Sequence, residues 1–425
     1  MKKKVKGKNP QQLKLEQAHQ RNLYLQKLQV VMDTIASEPA FHLLGWRETE
    51  TLYRIRIRPL KLKFAEVDGD TVPDEIARFM NEFLTVVFKK TPVTIDNEGM
   101  QVSLYDFNTF VETISIFWQT SEKMGYPNAQ KFIERFPLFT NGYREKRDEA
   151  FDLVEEKIKQ LAWMFTHLPE YIVWIEPIER HLTGDVNDTS ILYNNYLVHM
   201  EATESETLDI GGNKRTIFRV GIGTDDGVLW LIVIPEKLGM KGLLNRYPLN
   251  VYIQKHAVDR IKERLGDFFD KINFFLVSNA IFECEAFRAE EDSYLISCKY
   301  ESIKLGYFKA SVIGDKLLIR TFLFLTNNGT PEGKKLETLL GVQKEDKKYL
   351  GIDKLNLFIN SDIEQNEKLK AIFHQAGCGD LFRVKKHMLN DQDQMIHCAS
   401  SFAKYLGMES QDDNGLPKNN TPLSN

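Results

Sequence analysis

The sequence predicts an α+β protein: a largely helical N-terminal region, central antiparallel sheets and a short helical C-terminal region. Three observations predict it. Between residues 13 and 168, apolar residues recur at spacings of three and four, the period of a helix with one buried face. From Tyr171 to Thr326, short runs such as YIVWIEPI, TIFRVGIGT and VLWLIVIP are separated by turns too brief for helical crossovers, which suits antiparallel neighbours. After Ser361 the helical period returns.

The first helix covers residues 13–37, with Leu23, Leu25, Leu28, Val31, Met32 and Ile35 on its apolar side. Residues 51–64, TLYRIRIRPLKLKF, alternate apolar and basic residues. They predict a strand with one positive face, Arg54, Arg56, Arg58, Lys61 and Lys63, interrupted at Pro59. That strip reads either as a solvated edge that discourages aggregation or as a nucleic-acid contact. Pro73 then opens a helix to Lys90, with Asp74 and Glu75 suited to its first turn. A short strand is expected over 102–105 and helices over 107–120 and 129–136. A long helix over 143–167 carries a seam of Phe151, Val154, Ile158, Leu161 and Phe165, ended by Leu168-Pro169.

In the strand-rich part, Ile210-Gly211-Gly212-Asn213 and Thr224-Asp225-Asp226-Gly227 predict hairpin connections. Residues 249–253 predict a strand leading into a helix, and AIFECEAFR, YLISCKYE, YFKASVIG and KLLIRTFLFLT predict four more strands. Helices are expected over 331–340, 362–374, 379–388 and 395–405. The chain thus divides into a basic tail at 1–12, read as disordered, a mainly helical domain at 13–168, and a strand-rich segment at 169–248. An α+β module at 249–360, a helical region at 361–408 and a second disordered tail at 409–425 complete it.

Composition bounds the function. With 425 residues, 42% hydrophobic and 11% aromatic, the chain is long enough for two or three folded domains. A net charge of −4 gives no global attraction to nucleic acid or anionic membranes. The basic start is followed by no apolar run, and no stretch reaches membrane-spanning length, so the expectation is a soluble, cytoplasmic protein without membrane contact. The four cysteines, Cys284, Cys298, Cys378 and Cys398, suit a reducing compartment. Cys378 and Cys398 lie near His374, His387 and His397, but the spacings match no familiar zinc framework, and no metal or cofactor is expected. There is no P-loop, no GxGxxG, no GxSxG and no HExxH. Glu176, Glu179, Asp185 and Asp188 could pair as carboxylates, but no spacing rule selects them.

The most chemically suggestive stretch runs from Tyr252 to Asn273, YIQKHAVDRIKERLGDFFDKIN. His256, Arg260 and Arg264 are four apart and form one slanted stripe on a helix. The apolar face is set by Val258, Ile261, Leu265, Phe268 and Ile272, so the stripe lies away from the helix's own core contact, with Arg264 on the flank. Charge alone explains it as i,i+4 and i,i+3 pairing: Lys255 with Asp259, Arg260 with Glu263, and Arg264 with Asp267.

Residues 250–326 also resemble the RelE-type toxin-like domains of the barnase, EndoU and colicin fold group. The resemblance rests on Ile253 to Ala257 followed by Arg260 and Arg264, a strand entering an H-A-x-x-R-x-x-x-R helix, then an antiparallel sheet. It implies a toxin-like module and metal-independent RNA cleavage. His256 would be general acid or base, with Arg260 and Arg264 stabilising phosphate charge. Arg320, which interrupts the apolar strand KLLIRTFLFLT, is a fourth candidate. If buried it needs a partner, and Glu283 or Glu285 would supply one. Against catalysis, residues 251–340 hold 13 Lys plus Arg and 13 Asp plus Glu, with no positive excess. Two readings follow: a non-enzymatic binding or regulatory protein with a protein or RNA partner, or a metal-independent RNA endonuclease.

Overall fold

The computed structural model describes residues 10–67, 70–71, 74–140, 142–178, 195–240, 247–290, 293–341, 344–360 and 363–386. In chain order its elements begin with α1 (Pro10–Ile35), α2 (Trp46–Arg54), β1 (Lys61–Phe64), β2 (Glu66–Val67), β3 (Asp70–Thr71), α3 (Asp74–Lys90), β4 (Pro92–Thr94) and β5 (Gln101–Ser103). A continuous helical run follows: α4 (Leu104–Asp106), a π-helical segment (Phe107–Val111) and α5 (Glu112–Ser121). Then come α6 (Ala129–Glu134), α7 (Tyr143–Phe165), β6 (Tyr171–Pro177), β7 (Asn195–Ala202), β8 (Ser205–Ile210), β9 (Asn213–Arg219), β10 (Gly221–Thr224), β11 (Gly227–Trp230), β12 (Ile232–Val233) and β13 (Leu249–Gln254). The chain continues through α8 (Lys255–Leu265), α9 (Asp267–Lys271), α10 (Asn273–Glu283), β14 (Ala286–Glu290), β15 (Ser293–Tyr300), β16 (Ile303–Ile313) and β17 (Lys316–Phe324). It closes with α11 (Pro331–Leu340), α12 (Lys344–Tyr349), α13 (Asn356–Asn360) and α14 (Glu367–Ala376). The class is α+β, as the periodicities predict.

The chain divides into two compact units. The first takes the described residues of Met1–Thr166, Glu170–Ala202 and Gly221–Leu229; the second takes those of His167–Pro169, Thr203–Val220 and Trp230–Asn425. The strand-rich segment 169–248 therefore contributes to both. TIFRVGIGT, expected as one strand, is divided at Val220 into β9 and β10, which belong to different sheets.

In the first unit, helical packing dominates. Leu28, Met32 and Ile35 of α1 are buried, as are Phe107, Phe110, Ile114 and Phe117 of the run 104–121. Val154, Ile158 and Leu161 of α7 are buried as the seam predicts, while Phe151 and Phe165 remain half-exposed. The aromatic rings of Phe117, Phe132, Phe136, Phe139 and Tyr143 follow one another at centroid spacings of 4.7–5.7 Å, within the range of favourable edge and tilted contacts. The strand expected over 51–64 is a correction. Residues 46–54 are helical, with Leu52 buried and Arg54 bound to Glu50 at 3.2 Å across one turn. Pro59 restricts the strand to Lys61–Phe64. The basic strip is thereby divided: Arg56 lies on the Tyr53 ring at 3.7 Å, and only Lys61 and Lys63 occupy β1.

In the second unit, an eight-stranded mixed sheet runs β14-β15-β16-β17-β13-β9-β8, with β12 also beside β13. The expectation of wholly antiparallel sheets is corrected in two places, since β13 pairs parallel with β17 and β1 pairs parallel with β7. The β8–β9 turn uses Gly211 and Gly212 at φ 62° and 78°, the left-handed pair that a two-residue hairpin requires. AIFECEAFR is likewise not a strand throughout. Helix α10 persists to Glu283, Cys284 turns left-handed at φ 46°, and β14 starts only at Ala286. The predicted helix over 395–405 lies outside the described residues.

One buried acid in the first unit makes stability depend on pH. Glu112, 6% exposed, accepts a hydrogen bond from Tyr143 Oη at 2.5 Å and faces Arg147 at 3.4 Å. Burial raises its carboxyl from the ordinary 4.5, opposed by Tyr143 and Arg147. In the window just above 4.5 the folded chain therefore holds a proton that the unfolded chain has released, so this contribution is present at low pH and lost as pH rises. Urea unfolding of Glu112→Gln, relative to the wild type, should show a stability difference that shifts in favour of the variant as pH rises through this window. A difference independent of pH would contradict the assignment.

Candidate functional site

The strand–helix unit β13–α8 is built as the sequence suggests. Leu249, Val251 and Ile253 are buried on alternate positions, and Val251 and Ile253 pair in parallel register with Leu317 and Ile319 of β17. Gln254 is extended at φ −84° and ψ 142° and opens α8, which buries Ala257, Val258, Ile261 and Leu265 and packs against β17. The helix then stops sooner than its period implies. Gly266 sits at φ 92°, a conformation glycine tolerates, and the chain restarts as α9. The break also changes the face: Phe269 is fully buried, whereas Phe268, expected in the core, is half-exposed.

The stripe meets three different environments. His256 is exposed, and its Nε2 accepts a 3.4 Å hydrogen bond from Arg260 Nε. Arg260 pairs with Glu263 through Nη1, as expected from their spacing. Arg264 does not pair with Asp267. Its side chain, 13% exposed, forms an ion pair through Nη1 with Asp353, itself 9% exposed, and lies 3.6 Å from Glu263. Arg264 Nη1 also donates to the Asp353 carbonyl at 3.3 Å, and the Arg264 carbonyl accepts from Leu355 N at 2.8 Å. Burial lowers the Arg264 guanidinium from its ordinary value, with Glu263 opposing and Arg260 adding to the shift. Asp267 is instead 3.8 Å from Lys262, whose firmer partner is Asp270 at 3.0 Å. Lys255 and Asp259 form no ion pair.

Arg320 belongs to a different arrangement. Ala310 pairs with Ile319 and Lys309 with Thr321, so Arg320 is an extra residue, a β-bulge in β17. Residues 306, 308 and 310 of β16 share one face, and their partners are Phe324, Phe322 and Ile319. The extra residue thus resets the alternation so that these three apolar side chains face one way. Arg320 is exposed and shares no hydrogen bond or ion pair with His256, Arg260 or Arg264. Glu283 and Glu285, its expected partners, bind Lys299 at 3.1 and 2.5 Å.

What covers Arg264 is a segment downstream of the sheet. Ile352, Leu355 and Phe358 are buried, and the Phe358 ring lies 6.0, 5.3 and 5.4 Å from Phe324, Phe373 and Phe382. Thr326 Oγ1 donates to the Ile352 carbonyl at 2.7 Å. The buried Lys347 ammonium donates to the carbonyls of Thr326 and Gly333 at 3.2 and 2.7 Å and to Asn328 Oδ1 at 2.6 Å. Of the imagined zinc ligands, Cys378 is fully buried, and His387, His397 and Cys398 lie outside the described residues.

No protein-family model matches the chain, and neither a curated protein nor a solved structure matches it.

A second constellation escaped the sequence reading. In the first unit, Trp174 of β6 and His199 of β7 are register partners, and their rings stack at 3.7 Å and 3°. His199 Nε2 lies 2.9 Å from Glu176 Oε1, and Trp174 Nε1 donates to Glu201 Oε1 at 2.7 Å. The available signal was alternation: Trp174 with Glu176, and His199 with Glu201, are each two apart on a strand and so share a face. Register then brings the two pairs together; of the four carboxylates that spacing alone left equal, Glu176 belongs to this cluster, and Glu179, Asp185 and Asp188 lie outside the described residues. A third cluster neutralises the second unit's polar sheet face. Arg219 pairs with Glu204 at 3.0 Å and lies 4.8 Å over Trp230, while Lys316 binds Glu206 at 3.3 Å and lies 5.3 Å over Tyr252.

Arg264→Ala leaves the Asp353 carboxylate buried and unpaired and should cost about 3 kcal/mol of unfolding free energy. His256→Ala and Arg320→Ala change exposed groups and should stay within about 0.5 kcal/mol of the wild type. Denaturant titration of the three variants checks both, and equal effects at all three positions would contradict this ranking.

Proposed function

We propose that the protein is a non-enzymatic binding or regulatory protein whose RelE-like α+β module serves as scaffold rather than catalyst. The observation that carries this reading is the engagement of Arg264. A phosphate clamp must present its guanidinium to an incoming anion, and Arg264 is largely buried and committed to Asp353. Arg260 likewise faces Glu263, so neither cation is free of a carboxylate. The charge balance of residues 251–340 supports the same reading, because an RNA-cleaving surface gathers positive charge.

The alternative, metal-independent RNA cleavage with His256 as general acid or base, is favoured by one observation: His256 is exposed beside the Arg260 guanidinium. Incubation of the purified full chain with single-stranded RNA and with ribosomes, in EDTA, separates the two. The proposal expects no cleavage by wild type or by His256→Ala. Cleavage by the wild type that is lost in a folded His256→Ala variant overturns it.

A further inference from the structure

The first unit contains an open groove of about 480 Å³ lined by α1, by the last turn of α3 and by the start of the helical run 104–121. That volume falls in the range of small-molecule sites, roughly 300–1,000 Å³. Its apolar part is Val30 and Val31, adjacent on α1. Val30 is 66% exposed, whereas Val31 is 9% exposed and offers only its edge to the groove. Its polar part is cationic and hydroxylic. Lys27 and Lys89 both line the groove, and neither forms an ion pair among the described residues. The Lys89 ammonium lies 5.3 Å from the Tyr105 ring centroid, which holds it on that wall by a cation–π contact.

The lining holds one acid, Asp106, against the two ammonium groups. Asp106 accepts from Ser103 Oγ at 2.7 Å, while its own N–H donates to the same hydroxyl at 3.0 Å. Burial raises the Tyr105 phenol above its ordinary value, with Asp106 adding to the shift, so the hydroxyl remains a hydrogen-bond donor at neutral pH. Immediately after Asp106 the helix widens into its π-helical segment, a rare geometry that occurs frequently at functional sites. Two ammonium groups without carboxylate partners, a phenol donor and a valine pair complement one kind of ligand. It carries a negative charge at one end and a compact apolar body at the other.

We propose that this groove is a binding site for a small amphipathic carboxylate, with Lys27 and Lys89 holding the carboxylate and Val30 and Val31 contacting the apolar body. The inference goes beyond the non-enzymatic reading and does not depend on helix α8, so the RNA assay and the binding assay fail independently.

The test is calorimetric titration of the full chain with sodium hexanoate, with hexanamide and inorganic phosphate as comparison probes. Hexanoate should bind with a dissociation constant below about 1 mM, a modest efficiency for a ligand of its size. Lys27→Glu and Lys89→Glu should each weaken binding at least tenfold while the chain keeps a cooperative melting transition, since both side chains are exposed. Val30→Asp, also at an exposed position, should weaken it as well. Failure of hexanoate to bind, or binding indifferent to both lysine reversals, overturns the site. Equal binding of hexanamide overturns the role of the charge, and equal binding of phosphate overturns the role of the valines.

Discussion

The ion pair between Arg264 and Asp353 is the interaction on which the interpretation of helix α8 depends. A guanidinium 13% exposed cannot remain unpaired so far from water, and a carboxylate 9% exposed has the same need. Each supplies the other's counter-charge. The backbone reinforces the pair, because the Arg264 carbonyl near the helix end is satisfied by Leu355 N at 2.8 Å. Helix α8 is thereby joined to the segment whose Ile352, Leu355 and Phe358 complete the apolar cluster beyond the sheet. The consequence for chemistry is direct. The same side chain that would serve as a phosphate clamp instead joins two parts of the second unit.

Much of the fold was legible because its signals are local. The hairpin glycines at 211 and 212, the period of α7 and the valine and isoleucine alternation of β13 each depend on neighbours a few residues away. The failures share a different cause. Residues 51–54 read as the beginning of a strand because Tyr53, Ile55 and Ile57 alternate with arginines. The helix is instead favoured by Leu52 facing the core and by the Glu50–Arg54 pair, features visible only when the window begins earlier. The end of α8 was placed too late because the apolar period continues through Phe268 and Ile272, although Gly266 ends the helix between them. The division of TIFRVGIGT between two sheets depends on long-range partners, which no local pattern encodes.

The candidate site was half legible. The position of His256 on the outer side of α8 follows from the helical wheel, and so does the Arg260–Glu263 pair. The partner of Arg264 does not, because Asp353 lies 89 residues away. Arg320 is instructive for the same reason. In sequence it interrupts an apolar strand and, if buried, needs a counter-ion. In the sheet it is a bulge residue, outside the ladder, and its position lets Ile319, Phe322 and Phe324 share a face. Trp174, Glu176, His199 and Glu201 show the converse. Their alternation was readable on each strand, but only strand register assembles them.

The most direct test of this account is a double-mutant cycle on Arg264 and Asp353, measured by equilibrium unfolding of Arg264→Ala, Asp353→Ala and the double variant. If the pair is a buried structural clamp, the second substitution adds little once the first is made, giving a coupling energy of about 1–3 kcal/mol. Additive losses, with coupling near zero, would show that the two charges do not depend on each other and would return Arg264 to the pool of groups available to a ligand.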